Sequence, residues 1–193
     1  MRILAFGDSF VAGAGDPDHL GWIGRALQGR REITLYNLGV RRETSADIAA
    51  RWRTEALPRL VDHEPMRILF SFGCNDCNTE DGALRVPAAR SLLNARAMLT
   101  EAARLAPVLM VGQPPTAEPD VAVRAEELNE HLKVLAVRLQ APFIDVFRPL
   151  AADGLWIREA AEWDGAHPGA AGYQRMADLV AAHPAWRTFI GGG

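Results

Sequence analysis

The sequence predicts an α/β domain built on one parallel sheet with helices on both faces. Short apolar segments alternate with helical segments five times, and the chain has neither an internal repeat nor a low-complexity linker. Its 193 residues suit one domain with a well-buried core and are few for two domains. We therefore expect a single domain over residues 1–190, followed by a disordered tail at residues 191–193.

Five apolar segments are the predicted strands of this sheet. They lie at residues 2–6, 33–38, 66–72, 108–111 and 143–146. The third segment is almost continuously apolar, as expected for a strand that is covered on both faces. Each of the first four segments is followed within a few residues by glycine, which marks the strand ends as turns.

Helical segments follow the strands and complete the alternation. They are predicted at residues 18–27, 44–57, 87–105, 121–139 and 170–182. In the second of these, Thr44 or Ser45 can cap the helix, Ile48 and Trp52 share one face, and Pro58 ends or kinks it. The fourth carries leucines at spacings of four, three and four residues, at Leu128, Leu132, Leu135 and Leu139.

Composition and charge exclude several classes of protein. Hydrophobic residues make up 49% and charged residues 23%, which is ordinary for a globular domain, and a net charge of −3 gives no reason to expect a nucleic-acid partner. Lys133 is the only lysine and follows Leu132, which excludes a Walker-type phosphate loop. With two cysteines and no long apolar stretch, we expect a cytoplasmic protein with no membrane span.

Polar and glycine residues collect where the predicted strands end. In parallel α/β sheets, ligands bind beyond the carboxyl ends of the strands. Taken singly, each fragment is a weak signal for function. They are Gly7-Asp8-Ser9, Gly39, Gly73-Cys74-Asn75-Asp76, Gly112-Gln113-Pro114 and, before the last helix, Asp164-Gly165-Ala166-His167.

Together these fragments contain the parts that acyl transfer requires. Ser9 is the best nucleophile of the four serines, because the other three lie at a helix start, inside a strand and inside a helix. His167 can act as its base, and Asp164 can fix the imidazole tautomer. The backbone amides of Ser9 and Gly39 and the side-chain amide of Asn75 are the expected oxyanion donors.

The same residues, in this order, resemble the four sequence blocks of the SGNH hydrolases, also called GDSL-type esterases. The resemblance spans nearly the whole chain. It implies a three-layer, flavodoxin-like fold with strand order 2-1-3-4-5 and hydrolysis of carboxylic esters without metal or cofactor. It also implies Ser9, Asp164 and His167 as a triad and Ser9, Gly39 and Asn75 as oxyanion donors. Asp8 and Asp76, the acidic members of their blocks, are expected to support the site.

Departures from the family pattern bear on the substrate, which we expect to be a small-molecule ester of a short acyl group. Phe10 replaces the usual leucine, and Arg41 and Arg42 stand in a segment that is commonly small and glycine-containing. Pairing of these arginines with Glu43 and Asp47 is favoured over binding of a substrate anion. The candidate substrate-binding residues are Phe10, Arg41, Gln113, Pro114 and Trp163. The expected pocket walls are residues 76–86, 114–120 and 147–162.

Other functions stay open at this point. The same triad permits acyl transfer to an alcohol other than water. A flavodoxin-like module could instead bind FMN at the same strand ends, and the Cys74–Cys77 pair could serve a thiol oxidoreductase. A metal site is disfavoured because no second cysteine pair exists, and the larger α/β-hydrolase fold is disfavoured because Val11 stands where its last elbow glycine belongs. The sequence does not indicate an oligomeric state.

Overall fold

The computed structural model describes residues 1–191 and is built around a parallel sheet of five strands. In chain order the strands are β1 (Arg2–Gly7), β2 (Thr34–Gly39), β3 (Met66–Ser71), β4 (Thr79–Glu80), β5 (Ala83–Leu84), β6 (Val108–Val111) and β7 (Phe143–Ile144). The sheet has the order β2-β1-β3-β6-β7 with parallel pairing throughout, while β4 and β5 form a separate antiparallel hairpin. The predicted α/β fold and its order 2-1-3-4-5 are confirmed, because β6 and β7 are the fourth and fifth predicted strands.

Helices surround this sheet. They are α1 (Ser9–Ala12), α2 (Gly21–Ala26), α3 (Ser45–Ala56), α4 (Ala88–Ala102), α5 (Pro119–Arg138), α6 (Phe147–Ala151), α7 (Gly154–Glu162), α8 (Ala170–Ala182) and α9 (Pro184–Phe189), with 3₁₀ turns at Leu57–Arg59 and Asn75–Cys77. α3 packs on α4 and α4 on α5, whereas α2 packs on α8 and α8 on α7 and α9. These two groups are the outer layers of the sandwich.

The central strands explain the apolar segments of the sequence. Nearly every residue of β1 and β3 is buried, whereas every residue of β2, at the edge of the sheet, keeps some exposure. Gly7 at the end of β1 lies in register with Gly39 of β2 on one side and with Ser71 of β3 on the other. The loops that follow these three strands therefore begin side by side at one edge of the sheet.

The second predicted helix is capped by Thr44 and not by Ser45. The Thr44 side chain accepts from the backbone amide of Asp47, and the Asp47 carboxylate accepts from the backbone amide of Thr44, which is a complete capping box. The backbone amide of Ser45 donates instead to Asp76 Oδ1 at 2.7 Å. This bond fastens the start of α3 to the loop after β3.

The helix predicted from residue 18 begins later, at Gly21. The buried Asp16 carboxylate accepts from the backbone amides of Leu20 and Gly21 and pairs with Arg25, so it organises a turn where a helix was expected. Sequence patterns also miss the short helices α1, α6, α7 and α9 and the β4–β5 hairpin. Segments this short are marginal by themselves and depend on packing against the rest of the protein.

Two further expectations concern the chain as a whole. A single domain over residues 1–190 stays a prediction. Of the predicted tail at 191–193, residues 192 and 193 lie outside the described residues, and the Gly191 amide donates to the Thr188 carbonyl at 3.2 Å. Among residues 1–191, no helix combines the length and the apolar character needed to span a membrane.

Candidate active site

Ser9 stands at the start of α1, directly beyond the end of β1. Asp8 caps this helix by accepting from the Phe10 amide at 2.9 Å, and Gly13 ends it with a φ of 79°. Gly7 has no room for a side chain, because a Cβ there would lie 2.3 Å from both Ser71 O and the Val11 side chain. The tight turn from β1 into α1 thus fixes where the Ser9 side chain starts.

His167 connects Ser9 to Asp164 by two short hydrogen bonds. Its Nε2 lies 2.6 Å from Ser9 Oγ, although the two residues are 158 positions apart in sequence. Its Nδ1 lies 2.8 Å from Asp164 Oδ2, and Asp164 Oδ1 accepts from the backbone amides of Ala166 and His167. Asp164 therefore holds both the turn and the imidazole ring that the turn carries.

The surroundings of Asp164 and His167 lower the pKa of both side chains. Burial of the imidazole lowers the pKa of His167, and the hydrogen bond and charge of Asp164 only partly oppose this. Burial acts to raise the pKa of Asp164, but the hydrogen bonds from His167 and Ala166 outweigh it, so this pKa falls below its ordinary value. At neutral pH the arrangement therefore contains an ionised Asp164 beside a neutral His167, which can accept a proton.

Aromatic rings pack against the imidazole. The Phe10 ring centroid lies 4.7 Å from that of His167, and the Trp163 centroid lies 5.7 Å away. Phe10 is buried and also stacks on Trp156, whereas Trp163 is 53% exposed. Of these two candidate substrate-binding residues, only Trp163 presents a surface to solvent.

Asn75 comes to the same place from the loop after β3. Its Nδ2 donates to the backbone carbonyl of Glu43 at 3.0 Å and lies 3.4 Å from Asp8 Oδ2. Asp8 is itself buried, and this burial, together with the charges of Asp76 and Glu43, raises the pKa of Asp8 to about 7. Burial likewise raises the pKa of Asp76, whose Oδ1 holds the Ser45 amide.

Gly39 lies against α1, and its amide already has a partner. A Cβ at this position would lie 2.3 Å from the Ala12 amide nitrogen and 2.8 Å from Asp8 O. The Gly39 N–H donates to Asn37 Oδ1 at 3.1 Å, and Asn37 Nδ2 donates to Val11 O at 2.8 Å. To donate to an oxyanion, the Gly39 amide would have to exchange the bond to Asn37.

The two arginines after Gly39 do not pair as expected. Arg41 Nη2 lies 3.7 Å from Asp164 Oδ2, and its guanidinium lies 5.8 Å from the centre of the Trp163 ring. Glu43 forms an ion pair with Arg51 instead, and the Asp47 carboxylate accepts from the Thr44 amide in the cap of α3. The predicted pairing of Arg41 and Arg42 with Glu43 and Asp47 is therefore wrong, because these acids bind closer donors of their own.

A cleft of about 600 Å³ opens beside these residues. Its lining comes from the loop after α1, from Arg41 and from Trp163 (Ala12, Gly13, Ala14, Gly15, Asp16, Pro17, His19, Arg41 and Trp163). Gln113 and Pro114 are buried, and Gln113 packs against Gly73 and donates to Ala125 O. The expected walls at residues 76–86, 114–120 and 147–162 contribute no residue to the lining of this cleft.

The cysteine pair flanks Asn75 and Asp76 in the loop after β3. Cys74 and Cys77 are buried free thiols, and burial raises the pKa of Cys77 to about 12 and that of Cys74 well above its ordinary value. Because the thiolate is the reactive form of cysteine, this environment disfavours thiol chemistry at neutral pH. In the part of the chain that the structure describes, no group of three or more His, Cys, Asp or Glu side chains could hold a metal ion.

Two residues that hold the backbone of this region are not predicted from the sequence. The Glu159 carboxylate of α7 accepts from the backbone amides of Gly169 and Gly172, so it holds the segment that follows His167. Arg51 of α3 binds Glu43 and the carbonyl of Leu38. Neither residue belongs to a motif, and each finds its partner only once the chain has folded.

Comparison with known proteins assigns the family. Residues 5–175 match the GDSL-like Lipase/Acylhydrolase family. A search of curated protein sequences finds no match.

Solved structures share the fold at low sequence identity. A lipolytic protein of the G-D-S-L family from Veillonella parvula has a TM-score of 0.76 at 18% identity, covering 96% of this chain and 98% of its own. A lipase/acylhydrolase from Enterococcus faecalis has a TM-score of 0.74 at 20% identity, covering 93% of each chain. An acetylxylan esterase from Geobacillus stearothermophilus has a TM-score of 0.73 at 19% identity, covering 92% of this chain and 91% of its own.

The predicted resemblance to GDSL-type esterases is confirmed by the family match, and with it the prediction of a carboxylic ester hydrolase. The structural similarity confirms the fold. Because the match spans most of the sequence, the chain belongs to the GDSL-like lipase/acylhydrolase family.

Proposed function

We propose that the protein is a serine esterase that hydrolyses short-chain acyl esters through an acyl-enzyme. The observation that carries this proposal is the unbroken hydrogen-bonded chain from Asp164 through His167 to Ser9. A serine hydroxyl is a weak nucleophile by itself, and an adjacent base with a fixed tautomer is what activates it. The family to which the chain belongs supplies the reaction class.

In the proposed reaction, Ser9 Oγ attacks the ester carbonyl while His167 Nε2 takes the hydroxyl proton. The tetrahedral intermediate then collapses, and His167 returns the proton to the departing alcohol, which leaves the acyl group on Ser9. Water repeats the sequence on the acyl-enzyme, with His167 again as base, and releases the acid. Asp164 orients the imidazole and stabilises its positive charge without taking the proton.

The oxyanion donors are the Ser9 amide and Asn75 Nδ2 in this proposal. Asn75 supports it because Glu43 O holds one Nδ2 hydrogen beside the nucleophile, and the other, which faces Asp8 Oδ2 at 3.4 Å, can turn to the oxyanion. Gly39 would join them only by exchanging its hydrogen bond to Asn37 Oδ1. Each such donor contributes about 3–4 kcal/mol by the usual mutational measure.

The cleft reaches the site through Arg41 and Trp163, which lie beside Asp164 and His167, and its polar lining favours a polar alcohol. Small residues at positions 12–15 line one side, and Asp16, His19 and Arg41 add polar groups. The exposed ring of Trp163 offers an apolar face beside His167. Since one structurally similar protein is an acetylxylan esterase, acetylated sugars belong in the substrate panel alongside simple esters.

The test compares wild type with Ser9→Ala on p-nitrophenyl esters of graded acyl length and on a sugar acetate. We expect turnover to be greatest with the shortest acyl groups and to be abolished in Ser9→Ala, whose circular dichroism should be unchanged. Turnover should also fall as the pH drops through the pKa of His167, which burial places below the ordinary 6.5. Undiminished turnover in Ser9→Ala would refute the proposal, and a profile with no acidic limb down to the lowest pH at which the protein stays folded would refute His167 as base.

A further inference from the structure

Arg51 of α3 reaches the carboxyl ends of two neighbouring strands, β1 and β2. Its Nη2 donates to Leu38 O at 2.8 Å and lies 3.4 Å from Gly7 O. Leu38 O belongs to the same planar peptide unit as the Gly39 N–H, so this bond fixes the plane of that peptide. The side chain is only 17% exposed, which places the guanidinium inside the protein.

The remaining donors of Arg51 bind carboxylates. Its Nε lies 2.7 Å and 2.9 Å from the two Glu43 oxygens, and its Nη1 lies 3.2 Å from both oxygens of Glu55. Glu43 is as little exposed as Arg51. The planar guanidinium fork can satisfy two carboxylates and a backbone carbonyl together, which the compact ammonium of lysine cannot reproduce.

Glu43 links this ion pair to Asn75. The Glu43 carboxylate is held by Arg51, while its backbone carbonyl accepts from Asn75 Nδ2 at 3.0 Å. Glu43 ends a tight turn in which its amide donates to Val40 O, and Arg42 within the turn has a φ of 68°. A non-glycine residue in the left-handed region is strained and persists only where its surroundings fix it. The Arg51–Glu43 ion pair therefore helps to hold this turn in its strained conformation.

We propose that Arg51 is a positioning residue for the oxyanion hole: through Glu43 it holds the turn at residues 40–43, and the turn aims the Asn75 side-chain amide at the developing charge. This inference rests on the proposed function, in which Asn75 is an oxyanion donor. It concerns the transition state, because an oxyanion donor contributes most when the carbonyl oxygen becomes charged.

The test is the kinetics of Arg51→Met and Arg51→Lys. Displacing a donor of this kind should lower kcat about 10- to 100-fold in Arg51→Met while changing KM less than about 3-fold. Arg51→Lys should recover only part of the loss. The acidic limb of the pH profile should stay in place, because the hydrogen bonds of Arg51 go to Gly7, Leu38, Glu43 and Glu55 and not to Asp164 or His167.

Arg53→Met is the matched control. Arg53 lies two residues along the same helix, has 54% of its side chain exposed and pairs with Glu101 on the surface. We expect wild-type kcat in this variant. An equal loss of kcat in Arg53→Met and Arg51→Met would overturn the proposal, because the effect would then follow from any arginine of α3.

A double-mutant cycle separates positioning of Asn75 from general structural support. In an Asn75→Ala background, Arg51→Met should lower kcat by less than about 3-fold, because the group it positions is gone. The same loss in both backgrounds, or an unchanged kcat in Arg51→Met alone, would refute the inference. If Arg51→Met does not fold, Glu43→Gln takes its place in the cycle, since it keeps the backbone carbonyl and weakens the bond to Arg51.

Ser9→Ala distinguishes this inference from the proposed function. If Ser9→Ala is inactive while Arg51→Met is unaffected, the inference alone fails. If Ser9→Ala keeps its turnover, the proposed function fails and the inference fails with it.

Discussion

Because Asp8 is buried, we predict that its negative charge destabilises the folded protein. The side chain is 1% exposed and accepts from the Phe10 amide, and it lies near the charges of Asp76 and Glu43. Burial and these charges raise the pKa of Asp8 from 3.8 to about 7. Asp8→Asn removes the charge while keeping a side-chain oxygen that can cap α1.

The size of the effect follows from the two pKa values. At about 1.4 kcal/mol for each pH unit, the difference between 3.8 and about 7 corresponds to about 4 kcal/mol. Between pH 3.8 and about pH 7 the folded protein binds the Asp8 proton more tightly than the unfolded chain does. The free energy of unfolding of wild type therefore decreases as the pH rises. Relative to Asp8→Asn, this loss begins near pH 4 and is complete above about pH 7.

Urea unfolding of both proteins between pH 4 and pH 8 measures this difference. We expect Asp8→Asn to gain up to about 4 kcal/mol on wild type across the range, because groups far from Asp8 titrate alike in both proteins and only the coupled Asp76 offsets part of the gain. The same exchange at the exposed Asp62 controls for loss of one formal charge. A difference between wild type and Asp8→Asn that stays constant with pH, or that shifts in favour of wild type as the pH rises, would refute the reasoning.

Three further predictions concern the residues around Ser9. Asp164→Asn should lower kcat/KM by about 10⁴-fold, the size seen when a triad imidazole is left in the wrong tautomer, and steady-state kinetics on a p-nitrophenyl ester would show it. Arg41→Gln should move the acidic limb of the kcat/KM profile to higher pH, because the nearby Arg41 charge lowers the pKa of His167; an unmoved limb would contradict this. Gly39→Ala should lower the free energy of unfolding by several kcal/mol, on the order of 3, because its Cβ would lie 2.3 Å from the Ala12 amide nitrogen; a urea midpoint equal to that of wild type would show that α1 can move away.

The sequence is informative where short-range spacing decides the geometry. Asp164 and His167 are three residues apart, so a single turn brings the carboxylate to the imidazole. Ser9 and Asn75 follow neighbouring strands of a parallel sheet, and the register of that sheet brings the two loops together. The strand order could be predicted only from the family resemblance, because the alternation of strands and helices alone permits several orders of the same strands.

The sequence is less informative where a long side chain chooses among several partners. Arg41 was expected to bind acids close to it in sequence, yet it reaches Asp164, 123 positions away, while Arg51 takes Glu43. Position 39 is the expected glycine, but its amide donates to the Asn37 side chain. Asn37 is held within reach because it also donates to Val11 O of α1. These outcomes depend on distances that exist only after the sheet and helices have packed.

In the proposed mechanism His167 activates Ser9 as a nucleophile, and the rate and site of fluorophosphonate labelling test this most directly. Treated protein is digested, the modified residue is located by mass spectrometry, and the labelling rate is followed from pH 8 down to the lowest pH at which the protein stays folded. We predict labelling at Ser9, with a rate that falls as the pH drops through the pKa of His167, and no labelling of Ser9→Ala. Modification at another residue, or a rate at Ser9 that is independent of pH, would contradict the account.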